Sequence, residues 1–137
     1  MTSIDVITKY KSMKYVIIIA RVLLGLVFVV FGSNGFLHFM GPMPVIPGDA
    51  GAFIGALINS GYIYVIAGLE VVGGLLLLLG GRFVPLGLTL LGPVIVNIML
   101  FHIFLAPDGT LIGCIISLLA LFLLWVYRFK FPAIFQP

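Results

Sequence analysis

Four stretches of this chain are apolar for about 20 residues each, the length that crosses a bilayer's hydrocarbon at 1.5 Å per helical residue. They are Tyr15–Leu37, Gly61–Gly80, Phe83–Leu105 and Leu111–Tyr127. In lipid, every backbone N–H and C=O has to be satisfied within its own segment, so each stretch reads as a helix. The expected fold is an all-α four-transmembrane-helix bundle formed by one membrane domain, residues 1–137, with helices at about 15–37, 61–80, 83–105 and 111–127. Only 8% of the residues are charged, against about 25% in a soluble domain. Burial in an ordinary water-soluble core would not require runs of this length. The first run follows a basic stretch, as a signal peptide does, but it is too long for that role and no A-x-A site follows, so it reads as a retained helix.

The basic residues orient the bundle. Lys9, Lys11 and Lys14 precede the first run, Arg82 lies between the second and third, and Arg128 and Lys130 follow the fourth. The other two connections carry Asp49 and Asp108 and no Lys or Arg. Positive residues gather on the cytoplasmic side, which predicts both termini in the cytoplasm, most simply across a bacterial inner membrane. A formal charge of +3 without a basic patch gives no footprint for nucleic acid.

The connections differ. Gly80-Gly81-Arg82 is a tight turn, and Pro107-Asp108-Gly109 has the turn chemistry of a fixed φ followed by a left-handed glycine. The loop at residues 38–60 is long and opens with three prolines, after which Asp49 is expected to cap a short helix, AGAFIGALINS, ending at Gly61. That segment is too short to span. It is expected on the outer membrane surface or folded back as a lid.

Polar residues within the runs are the candidate site. A charge at the centre of a membrane helix costs about 2.5–3.5 kcal/mol on insertion scales. Only Arg21 and Glu70 sit inside the apolar runs. Measured from the inner, cytoplasmic end of its own run, Arg21 is about 9 Å deep and Glu70 about 15 Å, an axial gap the two side chains can bridge. Gly25 and Gly32 share the Arg21 face of helix 1, and Gly73 and Gly74 lie one turn from Glu70, so the charged faces are also close-packing faces. Three readings stay open: a structural ion pair, a pair lining a cavity that binds a ligand head or relays a proton, or an Arg21 that snorkels to the surface beside a protonated Glu70.

A second polar set lies nearer the long loop. Asn34 and His38 are spaced i, i+4 on one face if helix 1 continues that far. Asn97 and His102 lie in the far half of helix 3, where Pro93 frees the carbonyl of Thr89. The histidines are either interfacial side chains bonded to headgroups and loop carbonyls or part of a polar pocket under the loop. Two histidines without a close second acid give no metal-ligand spacing. A single cysteine, Cys114, allows neither an internal disulfide nor a C-x-x-C redox pair.

The strings ARVLLGLVFVVFGSNGFLHF, AGLEVVGGLLLLLGGR and GPVIVNIMLFH, in this order and spacing, resemble the DoxX / DoxX-like family of small four-helix membrane proteins. The resemblance covers nearly the whole chain, and the family's Arg, Glu and His match Arg21, Glu70 and His38. It implies a four-helix bundle in a membrane. It also implies a redox setting, since relatives include a subunit of an archaeal thiosulfate:quinone oxidoreductase. The single cysteine departs from dithiol-bearing relatives and argues against a thiol relay. The leading expectation is therefore a redox-associated membrane subunit with no intrinsic cofactor, which binds a quinone or a lipid and receives electrons through a partner protein. The alternatives are a non-enzymatic scaffold or assembly factor that holds partner helices on its small-residue faces, and a small permease acting as a homo-oligomer.

Overall fold

A computed structural model describes residues 1–136, which form helices and turns and no strand. Five α-helices follow in order: α1 Ser3–Leu37, α2 Gly48–Ser60, α3 Tyr62–Leu79, α4 Phe83–Phe104 and α5 Thr110–Tyr127. Short 3-10 turns occupy Pro107–Gly109 and Arg128–Phe135. Helices α1, α3, α4 and α5 (the last with its flanking turns) are long and apolar enough to cross a membrane, which suggests an integral membrane protein. Their surface agrees with that setting: Phe31, Val65, Val96 and Leu118 are more than half exposed, and no charged side chain is fully buried among the described residues.

The four long helices form a ring. α1 packs on α3 and α5, α3 on α4, and α4 on α5, leaving α1/α4 and α3/α5 as the diagonals. Leu24 and Phe28 of α1, Leu77 of α3, Val84 and Leu91 of α4 and Leu123 of α5 fill the centre, all at most 2% exposed. These layers close the half of the bundle nearest the termini. The opposite half carries the residue 38–61 connection, here called the loop end.

The α1–α3 seam is built on glycine. A Cβ at Gly74 would lie 2.7 Å from the Gly25 carbonyl oxygen, and one at Gly25 would lie 3.0 Å from the Gly74 carbonyl oxygen. One at Gly32 would meet the Ala67 carbonyl oxygen and the Glu70 Cβ, each at 2.8 Å. Two backbones therefore touch along about two helical turns, as small residues permit in lipid, where packing rather than the hydrophobic effect drives association.

Two boundaries differ from the sequence expectation. α1 starts at Ser3, not Tyr15, because Thr2 and Asp5 form a reciprocal capping box: Thr2 accepts from the Asp5 N–H, and the Thr2 N–H donates to Asp5 at 2.9 Å. α2 starts at Gly48, and its N-cap is Pro47 with no side-chain cap; Asp49 lies inside the first turn and does not cap. α2 ends where expected, at Gly61 with φ 78°. α2 packs against α3, and its Phe53 ring lies 5.8 Å from that of Phe101 on α4, at the loop end of the bundle.

Candidate functional site

Arg21 and Glu70 do not form a pair, which corrects the distance read from the sequence. The glycine seam fixes the register: Gly25 sits against Gly74 and Leu78, Gly32 against Ala67, Glu70 and Val71, and the Arg21 guanidinium against Gly80. Glu70 is thus level with Gly32, about 16 Å along α1 from Arg21 at 1.5 Å per residue. Side chains also lean toward the N-terminus of their own helix. In antiparallel neighbours this tilts Arg21 toward the termini and Glu70 toward the loop end, so the two move apart. Depth measured from the inner end of each run failed because the apolar run of α1 begins beyond the end of α3.

Arg21 lies at the terminal end of the bundle. Its guanidinium occupies the space a Cβ on Gly80 would need, and Gly80 itself has φ 75°, so glycine is required there twice over. Nε of Arg21 is buried and has no hydrogen-bond partner. The side chain lines a groove of about 500 Å³ together with Tyr10, Lys14, Gly81 and Tyr127. Tyr10, Lys14 and Tyr127 were not candidates from the sequence. The signal that would have found the first two is the Thr2-Ser3-Ile4-Asp5 capping pattern, which extends α1 past them.

Glu70 stands at the centre of the buried arc of α3, between Ala67, Gly73, Gly74 and Leu77. It stays half-buried because its surroundings are small. Every basic residue of the chain lies at or beyond the level of Arg21 and the Gly80–Arg82 turn, so no cation shares its depth.

The loop-end residues separate into three places. Asn34 Oδ1 accepts from the Met40 N–H at 2.8 Å and so fixes the chain reversal after α1. His38 is the left-handed C-cap of α1, φ 53°, which turns it out of the helical face it was expected to share with Asn34. Both still line one groove of about 290 Å³ with Ile63 and Tyr64. His102 is engaged in the α4–α5 turn: its Nδ1 lies 3.0 Å from the Ala106 carbonyl oxygen, and its ring fills the space beside Gly109. That is the loop-carbonyl role weighed for it from the sequence.

Asn97 is exposed on a separate groove of about 420 Å³ between α2, α3 and α4. Phe53 and Leu57 of α2 form one side, and Tyr62, Ile66, Leu69 and Pro93 the others. Pro93 sits inside a continuous α4, one turn from Asn97. The wall is apolar and aromatic with a single amide, about 10 Å from the end of α4. Such a groove suits a flat, lipid-soluble molecule bearing a hydrogen-bonding group. No group of three His, Cys, Asp or Glu side chains able to hold a metal occurs among the described residues. Comparisons with protein-family models, with curated proteins and with solved structures return no match to this chain.

Proposed function

We propose that this chain is a membrane-embedded binding subunit for a lipid-soluble, carbonyl-bearing ring of the quinone class, working beside a redox partner that supplies the electrons. The observation that carries this reading is the exposed Asn97 amide in an otherwise apolar and aromatic groove flanked by α2. An amide at that depth lacks water, and a ligand carbonyl would satisfy its N–H groups. The resemblance of the Arg21, Glu70 and His38 strings to the DoxX family supports the redox setting. The gathering of Lys9, Lys11, Lys14, Arg82, Arg128 and Lys130 toward one end of the bundle supports an inner-membrane location with both termini in the cytoplasm.

A scaffold that grips partner helices on the Gly73/Gly74 face draws no support, because Leu91, Gly25 and Val29 of the same chain already occupy it. The closed layers at Leu24, Phe28, Leu77, Leu91 and Leu123 offer a permease no path through one copy of the chain, which leaves that reading to a homo-oligomer.

Titrating a short-chain quinone into the purified protein in nanodiscs tests the proposal. Saturable binding is expected, weakened roughly five- to tenfold by Asn97→Leu, the worth of one net hydrogen bond. His38→Ala, in the neighbouring groove, should leave it unchanged. Absence of saturable binding would overturn the reading, and a loss with H38A but not N97L would move the site to the Asn34/His38 groove.

A further inference from the structure

We infer that the groove at the terminal end of the bundle is a binding site for the phosphate headgroup of an anionic glycerophospholipid, centred on Arg21 and Lys14. It lies at the opposite end of the molecule from the Asn97 groove and does not depend on that reading. Four observations converge on it. Arg21 and Lys14, one helical repeat of seven apart on α1, line the same groove. The Arg21 guanidinium is held against Gly80 and its Nε is buried without a partner, so the group is preorganised and its charge is not neutralised inside the protein. Tyr127, which lines the groove, has the Lys130 ammonium 5.2 Å from its ring centre, adding a third cation at the edge.

The fourth observation is the absence of acid. The four side-chain carboxylates are Asp5, Asp49, Glu70 and Asp108. Asp5 is engaged in the Thr2 cap, Asp49 and Asp108 belong to the loop end, and Glu70 is in mid-bundle. Among the described residues, the cations therefore face a groove lined by no acidic side chain.

The chemistry selects the ligand. A guanidinium binds a phosphate monoanion through two parallel N–H···O bonds, and a nearby ammonium adds a point charge. Basic pockets between membrane helices at the headgroup level hold anionic lipids in this way. Ile17 and Ile18, between the two cations on α1, line the groove as an apolar track against which an acyl chain can lie. A zwitterionic lipid would bring its own ammonium into a site already carrying positive charge, which disfavours it. A free phosphate would gain the charge contacts but leave the apolar track empty.

Native mass spectrometry of the full chain, released from detergent with added phosphatidylglycerol, phosphatidylcholine or inorganic phosphate, distinguishes these sources. The expected result is retention of phosphatidylglycerol over phosphatidylcholine. Lys14→Gln should reduce it about fivefold and the K14Q/R21Q pair tenfold or more. Lys14 is exposed, so K14Q should fold even if changing Arg21 disturbs the Gly80 contact. Equal retention of the two lipids, wild-type retention by K14Q, or saturation by inorganic phosphate alone that blocks the lipid would each overturn the inference.

Discussion

Helix α1 has two neighbours and meets them in opposite ways. Against α3 its backbone touches another backbone at Gly25, Gly32 and Gly74. Against α5 it leaves an apolar groove of about 330 Å³ between Val16, Ala20, Ile115 and Leu118. The first contact allows no adjustment, because a carbonyl oxygen cannot rotate away as a side chain can. The second is made of rotatable side chains with room between them. Register in this bundle is therefore set along one seam, and that seam is the one that separates Arg21 from Glu70.

The contrast is broken most sharply at Gly74. Gly74→Val would drive a branched side chain into the Gly25 carbonyl and Val29, and overpacking of that kind costs about 1–3 kcal/mol or more. The expected outcome is a large drop in the melting temperature in detergent, with aggregation on size exclusion. Gly73→Ala sharpens the same point: the three atoms nearest its Cβ all belong to the Leu91 side chain, which can shift where a backbone carbonyl cannot, so a cost below that of Gly74→Val is expected. A melting temperature for G73A as low as that for G74V would remove the distinction between backbone and side-chain contact.

Glu70→Gln comes next in size. A half-buried carboxylate with no cation at its depth carries a desolvation cost that its isosteric amide avoids. The variant should be more stable than the parent by about 1–2 kcal/mol, read as a raised denaturation midpoint. A lowered midpoint would mean that the carboxylate is held by a partner after all. Smallest is Leu118→Ala on the loose side of α1. This side chain is 66% exposed, and the change should fall within about 0.5 kcal/mol of the parent. A loss comparable to that at Gly74 would show that the α1–α5 contact is as restrictive as the glycine seam.

The helices were legible in the sequence because hydropathy over about 20 residues is a local property. Their relative heights were not, because height depends on which carbonyl meets which glycine across a seam, a fact belonging to two segments at once. Arg21 illustrates this: its depth counted from Tyr15 was sound for α1 alone and misleading beside α3. At the loop end, residue type was legible and grouping was not. Asn34, His38, Asn97 and His102 do lie toward that end, but a left-handed cap, a helix turn and the placement of α2 distribute them among separate surroundings. The Arg21 groove was not legible because two of its walls, Tyr10 and Lys14, precede the apolar run and read as part of the basic stretch before the first helix.

That same stretch has a mechanical consequence. Residues from Ser3 to Lys14 belong to one uninterrupted α-helix with the membrane span that follows. They stand about 18 Å past its apolar run at 1.5 Å per residue. Nothing between them and the span can act as a swivel. A domain or fluorophore joined at Thr2 would thus be carried on a stiff mast, at a set height and azimuth, and would report each tilt of the bundle in the bilayer as a displacement amplified by the length of the mast.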